Sequence, residues 1–167
     1  MLNVGLTESA VRSSTRATGN PSLVWDAYRR LIRAFAETVH RAPSEPFDEL
    51  TARYLTDGQV HHVHELDPLP LRALARDSAD LLRAVTGHPL PADPLTQVVH
   101  AVEAVCGSWN SRRAQAYRHL NQLETITSTG VIIQAMVCGN AGGVPVSYRR
   151  WTALARSEVR DSAAVLS

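Results

Sequence analysis

Lysine is missing from this chain: all 17 basic residues are arginine. No lysine ammonium can therefore reach a phosphate, form a Schiff base or act as a tuned base. Cysteine is scarce. Cys106 and Cys138 are too few for a disulfide framework, and both sit in apolar stretches where buried, reduced thiols are expected. No apolar run approaches the ~18–20 residues of a membrane span, so no membrane partner is expected. The opening Met1-Leu2-Asn3-Val4-Gly5 lacks the basic region and apolar run of a secretory leader, which gives a cytoplasmic expectation. A net charge of +1 lacks the basic excess of a nucleic-acid-binding domain.

What is present is one domain's worth of chain: 167 residues, 44% hydrophobic, long enough to bury a core without disulfide or metal staples. Leu2, Val4 and Leu6 alternate with polar residues as in a short half-buried strand. Thr7 is placed to cap a helix over 8–18 that Gly19-Asn20-Pro21 ends. Val24, Tyr28, Leu31, Ile32, Phe35 and Val39 recur at helical spacing, with Ser22 as the cap and Ala42-Pro43 as the stop. Phe47, Leu50 and Tyr54 mark a shorter helix closed near Gly58. Residues 58–66 read as irregular or as a short strand. Asp67-Pro68 and Asp93-Pro94 each open a helix with a cap and a first-turn proline. The first carries Leu71, Leu74, Leu81, Leu82 and Val85 and ends at Gly87. The second is lined by Val98, Val102, Val105 and Trp109. Asn110 then caps a helix with Ala114, Tyr117 and Leu120. Val131-Ile132-Ile133-Gln134-Ala135-Met136-Val137 is β-branched and mostly apolar, as a buried strand should be. A last amphipathic helix with Trp151, Leu154, Ala155 and Val159 follows Pro145. The expected fold is α+β and predominantly helical, with five or six helices packed on a small sheet of two or three strands.

Chemistry-bearing residues are few. His61-His62-Val63-His64-Glu65 places three imidazoles and a carboxylate together, with His62 and His64 on one face of an extended segment. His62, His64 and Glu65 are candidates for acid–base work; a solvated, slightly basic loop is the alternative. No metal is assigned, because zinc sites draw ligands from separated segments. Glu103, half-buried, is a candidate general acid through a raised pKa, or else a surface carboxylate. Arg112, Arg113, Tyr117 and Arg118 share a polar helix face suited to a ligand or to structural ion pairs. Arg29, Arg30 and Arg33 read as a solvated face or a phosphate clamp. Trp25, Trp109 and Trp151 suit an aromatic pocket or core packing. His40 and His119 are single helix histidines with no assigned role.

Several blocks resemble consecutive stretches of the pyruvate phosphate dikinase family. They are Leu2-Asn3-Val4-Gly5-Leu6; Thr18-Gly19-Asn20-Pro21; Asp26 through Ile32; Ala101 through Val105 with Gly107-Ser108-Trp109-Asn110; Arg113-Ala114 with Tyr117-Arg118; and Gln134 through Asn140. Order and spacing both match over residues 1–143, and residues 144–167 form a divergent tail. The resemblance implies the middle of an N-terminal nucleotide-binding domain of ATP-grasp type. It places the strand of Gln134, Met136 and Val137 at the adenine side of a cleft, where the bottom-up alternative is a central core strand. It puts Arg113 and Tyr117 on a helix near the nucleotide domain's core. The loop 139–143 is either an anion cradle or a tight turn. The phosphate loop, lysine and acidic metal ligands that the family uses are not in this sequence.

Two functions follow as expectations, beside a folded fragment or assembly partner with no ligand. One is a stand-alone dikinase-like protein without phosphotransfer, binding a nucleotide or small molecule, requiring no cofactor and retaining at most ATP binding. The other is an enzyme of bacterial small-molecule biosynthesis, repurposed to His/Glu/Tyr/Arg acid–base chemistry without ATP. Surface left uncovered by a partial domain points to a homodimer, with 144–167 contributing.

Overall fold

The computed structural model describes residues 1, 3–123, 125–126 and 128–135. Two compact units divide the chain at 133/134, and of the second only Gln134 and Ala135 are described. The first unit holds six α-helices: α1 (Glu8–Thr18), α2 (Pro21–Val39), α3 (Glu45–Asp57), α4 (Pro68–Thr86), α5 (Pro94–Ser108) and α6 (Arg112–Leu120). A single 3-10 turn, Val63–Glu65, joins α3 to α4.

The helix ends follow local chemistry. Thr7 Oγ1 accepts the Ala10 N–H at 3.2 Å, and Gly19 closes α1 at φ 65. A side chain at such a φ is strained, so glycine ends that helix at no steric cost. Asn20, not Ser22, caps α2 by accepting the Leu23 N–H at 3.0 Å, with Pro21 in the first turn. Asp93 Oδ2 accepts the Thr96 N–H at 2.8 Å at the start of α5. Ser111, not Asn110, caps α6 through the Ala114 N–H. Gly58 answers to a close approach: a Cβ there would meet Leu66 Cδ2 at 3.0 Å.

α2 is the hub and packs against α1, α4, α5 and the 3-10 turn, while α3 packs on α4. Leu31, Ile32 and Phe35 of α2, Leu71, Leu74 and Leu82 of α4, and Val11 of α1 are fully or almost fully buried. Trp25 is buried too, edge-on to Tyr28 and beneath the Arg72 guanidinium at 5.5 Å. Arg29, Arg30 and Arg33 are neutralised where they stand. Arg29 and Arg30 share Asp26, and Arg33 bonds Glu37 and Asp48.

The expected small sheet is not found: the described residues contain no strand. Residues 3–6 form a turn closed by the Leu6 N–H on the Asn3 carbonyl at 3.0 Å, with Asn3 at φ 61 and Gly5 at φ 96. Of the 58–66 segment, Val63–Glu65 form the 3-10 turn and the rest is irregular, as one of the two expectations had it. Residues 131–135 are irregular and exposed, with Ile132 at 88%. β-branching favours a strand only where cross-strand neighbours bury it, and the described residues offer none. Met136 and Val137, the loop 139–143, Cys138, Trp151 and the tail 144–167 lie outside the described residues.

α5 turns only part of its expected face inward, with Val98 and Val102 half-buried. Its buried residue is Gln97, fully enclosed, whereas Val105 and Cys106 are exposed. Gln97 Oε1 accepts the Gly5 N–H at 2.9 Å and its Nε2 donates to the Pro91 carbonyl at 2.8 Å. One amide thus ties α5 to the N-terminal turn and to the α4–α5 connector. A buried amide with both ends bonded loses little by leaving water.

Candidate functional site: a cationic cleft at the α5–α6 turn

Trp109, Asn110 and Ser111 form the turn between α5 and α6. This turn brings Trp109 against Arg118, nine residues on. The Arg118 guanidinium lies 4.0 Å above the Trp109 ring, and its Nη1 donates to the Trp109 carbonyl at 2.8 Å. Stacking on an indole holds the planar guanidinium in one orientation. Arg113 and Tyr117 are one helical turn apart on α6, both exposed, with Tyr117 at 62%. Trp109, Arg113, Tyr117 and Arg118 join Leu123 and Ile126 around an open cleft of about 450 Å³. No carboxylate among the described residues lines it. Aromatic and apolar walls with two guanidinium groups suit a flat ring bearing negative charge.

A larger cleft, about 820 Å³, lies between α3 and α4 and is lined by Glu49, Arg53, Asp77 and Asp80 among others. Tyr54 beside it donates its hydroxyl to Asp77 Oδ2 at 2.7 Å. Burial, reinforced by the Asp77 carboxylate, pushes the phenol up to about 12. Three carboxylates against one arginine disfavour an anion there.

The other expected site residues are dispersed. His62 and His64 do share a face, their rings stacked at 5.3 Å, and both are exposed. Glu65 accepts the backbone N–H groups of His61 (2.9 Å) and His62 (3.2 Å), which close a capping box. Those two bonds hold its carboxyl below the usual carboxylate range. Glu65 is thus an ionised cap in this turn. Glu103 is exposed on α5 and Gln134 is exposed in the second unit. Arg113 and Tyr117 are the expected site residues that line the α5–α6 cleft. Sequence reasoning named Trp109 and Arg118 separately and missed their pairing. The available signal was the Asn110-Ser111 break, which folds position 118 back over position 109.

Fold and cleft together define a helical module with an aromatic-walled, arginine-lined recess. The sequence pattern of the family described as "Pyruvate phosphate dikinase, AMP/ATP-binding domain" matches residues 2–165. The chain is 34% identical over 154 residues to pyruvate, phosphate dikinase of Clostridium symbiosum, covering 90% of this chain and 18% of that protein. It is 33% identical over 146 residues to the Rhizobium meliloti (strain 1021) enzyme, covering 85% and 16%. It is 32% identical over 153 residues to that of Giardia intestinalis, covering 90% and 17%. The chain belongs to the pyruvate phosphate dikinase AMP/ATP-binding domain family, and it spans less than a fifth of the length of these relatives. No helix among the described residues is long and apolar enough to cross a membrane.

Proposed function

We propose that this chain is a dikinase-like binding module without phosphotransfer of its own, holding a nucleotide or another flat, anionic small molecule at the α5–α6 turn. The observation that carries this reading is the cleft in which Arg113 and Tyr117 meet the stacked Trp109–Arg118 pair, with no carboxylate among the described residues that line it. The family description, an AMP/ATP-binding domain, supports the ligand class. Phosphoryl transfer rests on metal and cation clamps around the phosphates. The chain supplies no lysine for such a clamp, and the matched dikinases are proteins of which it spans at most 18%.

Thermal unfolding with ATP, AMP and an aromatic carboxylate tests the reading. A ligand at about a hundredfold its Kd adds about 2.7 kcal/mol, which for this length raises the melting temperature by about 5–10 °C. Arg113→Ala is expected to weaken that ligand about tenfold or more by removing a charge-assisted bond, with the unliganded melting temperature unchanged. Silence with all three ligands, or a shift indifferent to both Arg113→Ala and Tyr117→Ala, overturns the cleft. Pyruvate- and phosphate-dependent ATP cleavage by the purified chain overturns the absence of phosphotransfer.

A further inference from the structure

Three histidines from three different elements cluster beside one buried ring. His40 is the C-cap of α2, His88 lies in the α4–α5 connector just after Gly87, and His100 is on α5. Phe35, fully buried, lies 5.7 Å from the His40 ring and 6.1 Å from the His100 ring. His40 and His88 stack almost parallel, their centroids 5.5 Å apart at 8°. His40 Nε2 and His100 Nδ1 are buried and have no hydrogen-bond partner.

This arrangement suits a neutral His40 imidazole. Parallel rings pack as apolar plates, and an uncharged ring nitrogen tolerates burial better than an imidazolium does. The groups that act electrostatically on His40 are His88 from the connector and His100 from α5, and no carboxylate is among them. On its own element, Arg41 follows directly, and Glu37 one turn back is held by Arg33. Protonating His40 thus places a charge against two neighbouring imidazoles, with Arg41 next in the chain and Glu37 already paired to Arg33.

We propose that His40, packed against His88 and His100, forms an acid-released latch, which clamps α5 and the α4–α5 connector onto the end of α2 at neutral pH and opens as His40 protonates. Burial first, then the two neighbouring imidazoles, hold His40 below the ordinary imidazole range. The closed form therefore binds fewer protons than the open one. Its stability is complete above the ordinary value of about 6.5 and is lost as the pH falls below it. The latch works on contacts away from the α5–α6 cleft and holds whether or not that cleft binds a ligand.

Histidine ring NMR and amide hydrogen exchange, both in zinc-free buffer from pH 8 to 5, test it. The His40 titration midpoint is expected below 6.5. Exchange in α5 is expected to accelerate at least about tenfold between pH 7.5 and 5.5, after correction for the intrinsic pH dependence, while the α4 core stays protected. His88 is exposed, so His88→Gln should fold. It is expected to raise the His40 midpoint and to shrink the acid response of α5. A His40 midpoint at or above 6.5 overturns the latch. So does acceleration that is equal in α4 and α5, or that persists in full in His88→Gln. Stoichiometric zinc uptake lost in His88→Gln also overturns it, because the three imidazoles would then be metal ligands.

Discussion

α2 and α5 look alike in outline and behave as opposites. α2 buries eight of its 19 residues, whereas α5, similar in apolar content and carrying Glu103 as its one charged residue, buries Gln97 alone among 15. Leu95 and Val99 of α5 are 69% and 47% exposed. Apolar composition therefore does not decide which helix forms the core; neighbours do. α2 has helices on several sides, so each turn meets another apolar surface. α5 touches the core along one edge and is anchored there by an amide and by the ring of His100 packed near Phe35. Burial by area needs many side chains, whereas a pair of buried hydrogen bonds holds a helix through one.

The largest expected effect breaks the comparison from the core side. Leu74→Ala removes a fully buried side chain from α4 and is expected to cost about 2–5 kcal/mol, because the cavity closes incompletely. Leu95→Ala, the same chemical change on exposed α5, is expected to stay within about 0.5 kcal/mol. Urea unfolding of the two variants reads the difference directly, and equal losses would mean that α5 is as deeply packed as α4. Next in size is Gln97→Leu, similar in bulk but unable to bond. It strands the Gly5 N–H and the Pro91 carbonyl and is expected to cost about 2–4 kcal/mol. A loss below about 1 kcal/mol would show that α5 is held by its apolar contacts after all.

The same contrast explains what was legible in the sequence. Helix ends marked by a capping side chain or a left-handed glycine were readable: Thr7 and Gly19 bound α1, and Asp93 opens α5. α2's inward face followed from its 3.6-residue repeat because partners surround it. α5's repeat left Val98 and Val102 half-buried and Val105 exposed, and it gave no sign of Gln97, since no local pattern marks a glutamine whose partners are Gly5 and Pro91. The β-branched run at 131–135 failed as a strand for the same reason: a strand is defined by its neighbour. Within the site, Arg113 and Tyr117 were visible as one helix face. The Trp109–Arg118 stack required knowing how the turn between two helices closes.

The smallest effect sharpens the comparison at the surface. Arg33 bonds both oxygens of Asp48, at 2.5 and 3.1 Å, linking α2 to α3, with the two side chains 33% and 55% exposed. The geometry is bidentate, which favours strength, but water reaches both partners and screens the pair. Screening dominates at this exposure, so Asp48→Ala is expected to cost less than about 1 kcal/mol, shrinking further in high salt. Arg33 keeps Glu37 when Asp48 is gone, so no charge is stranded. Urea unfolding at low and high salt measures both quantities. A salt-independent loss comparable to that of Gln97→Leu would show that this ion pair fastens α3 to α2 as firmly as the buried amide fastens α5.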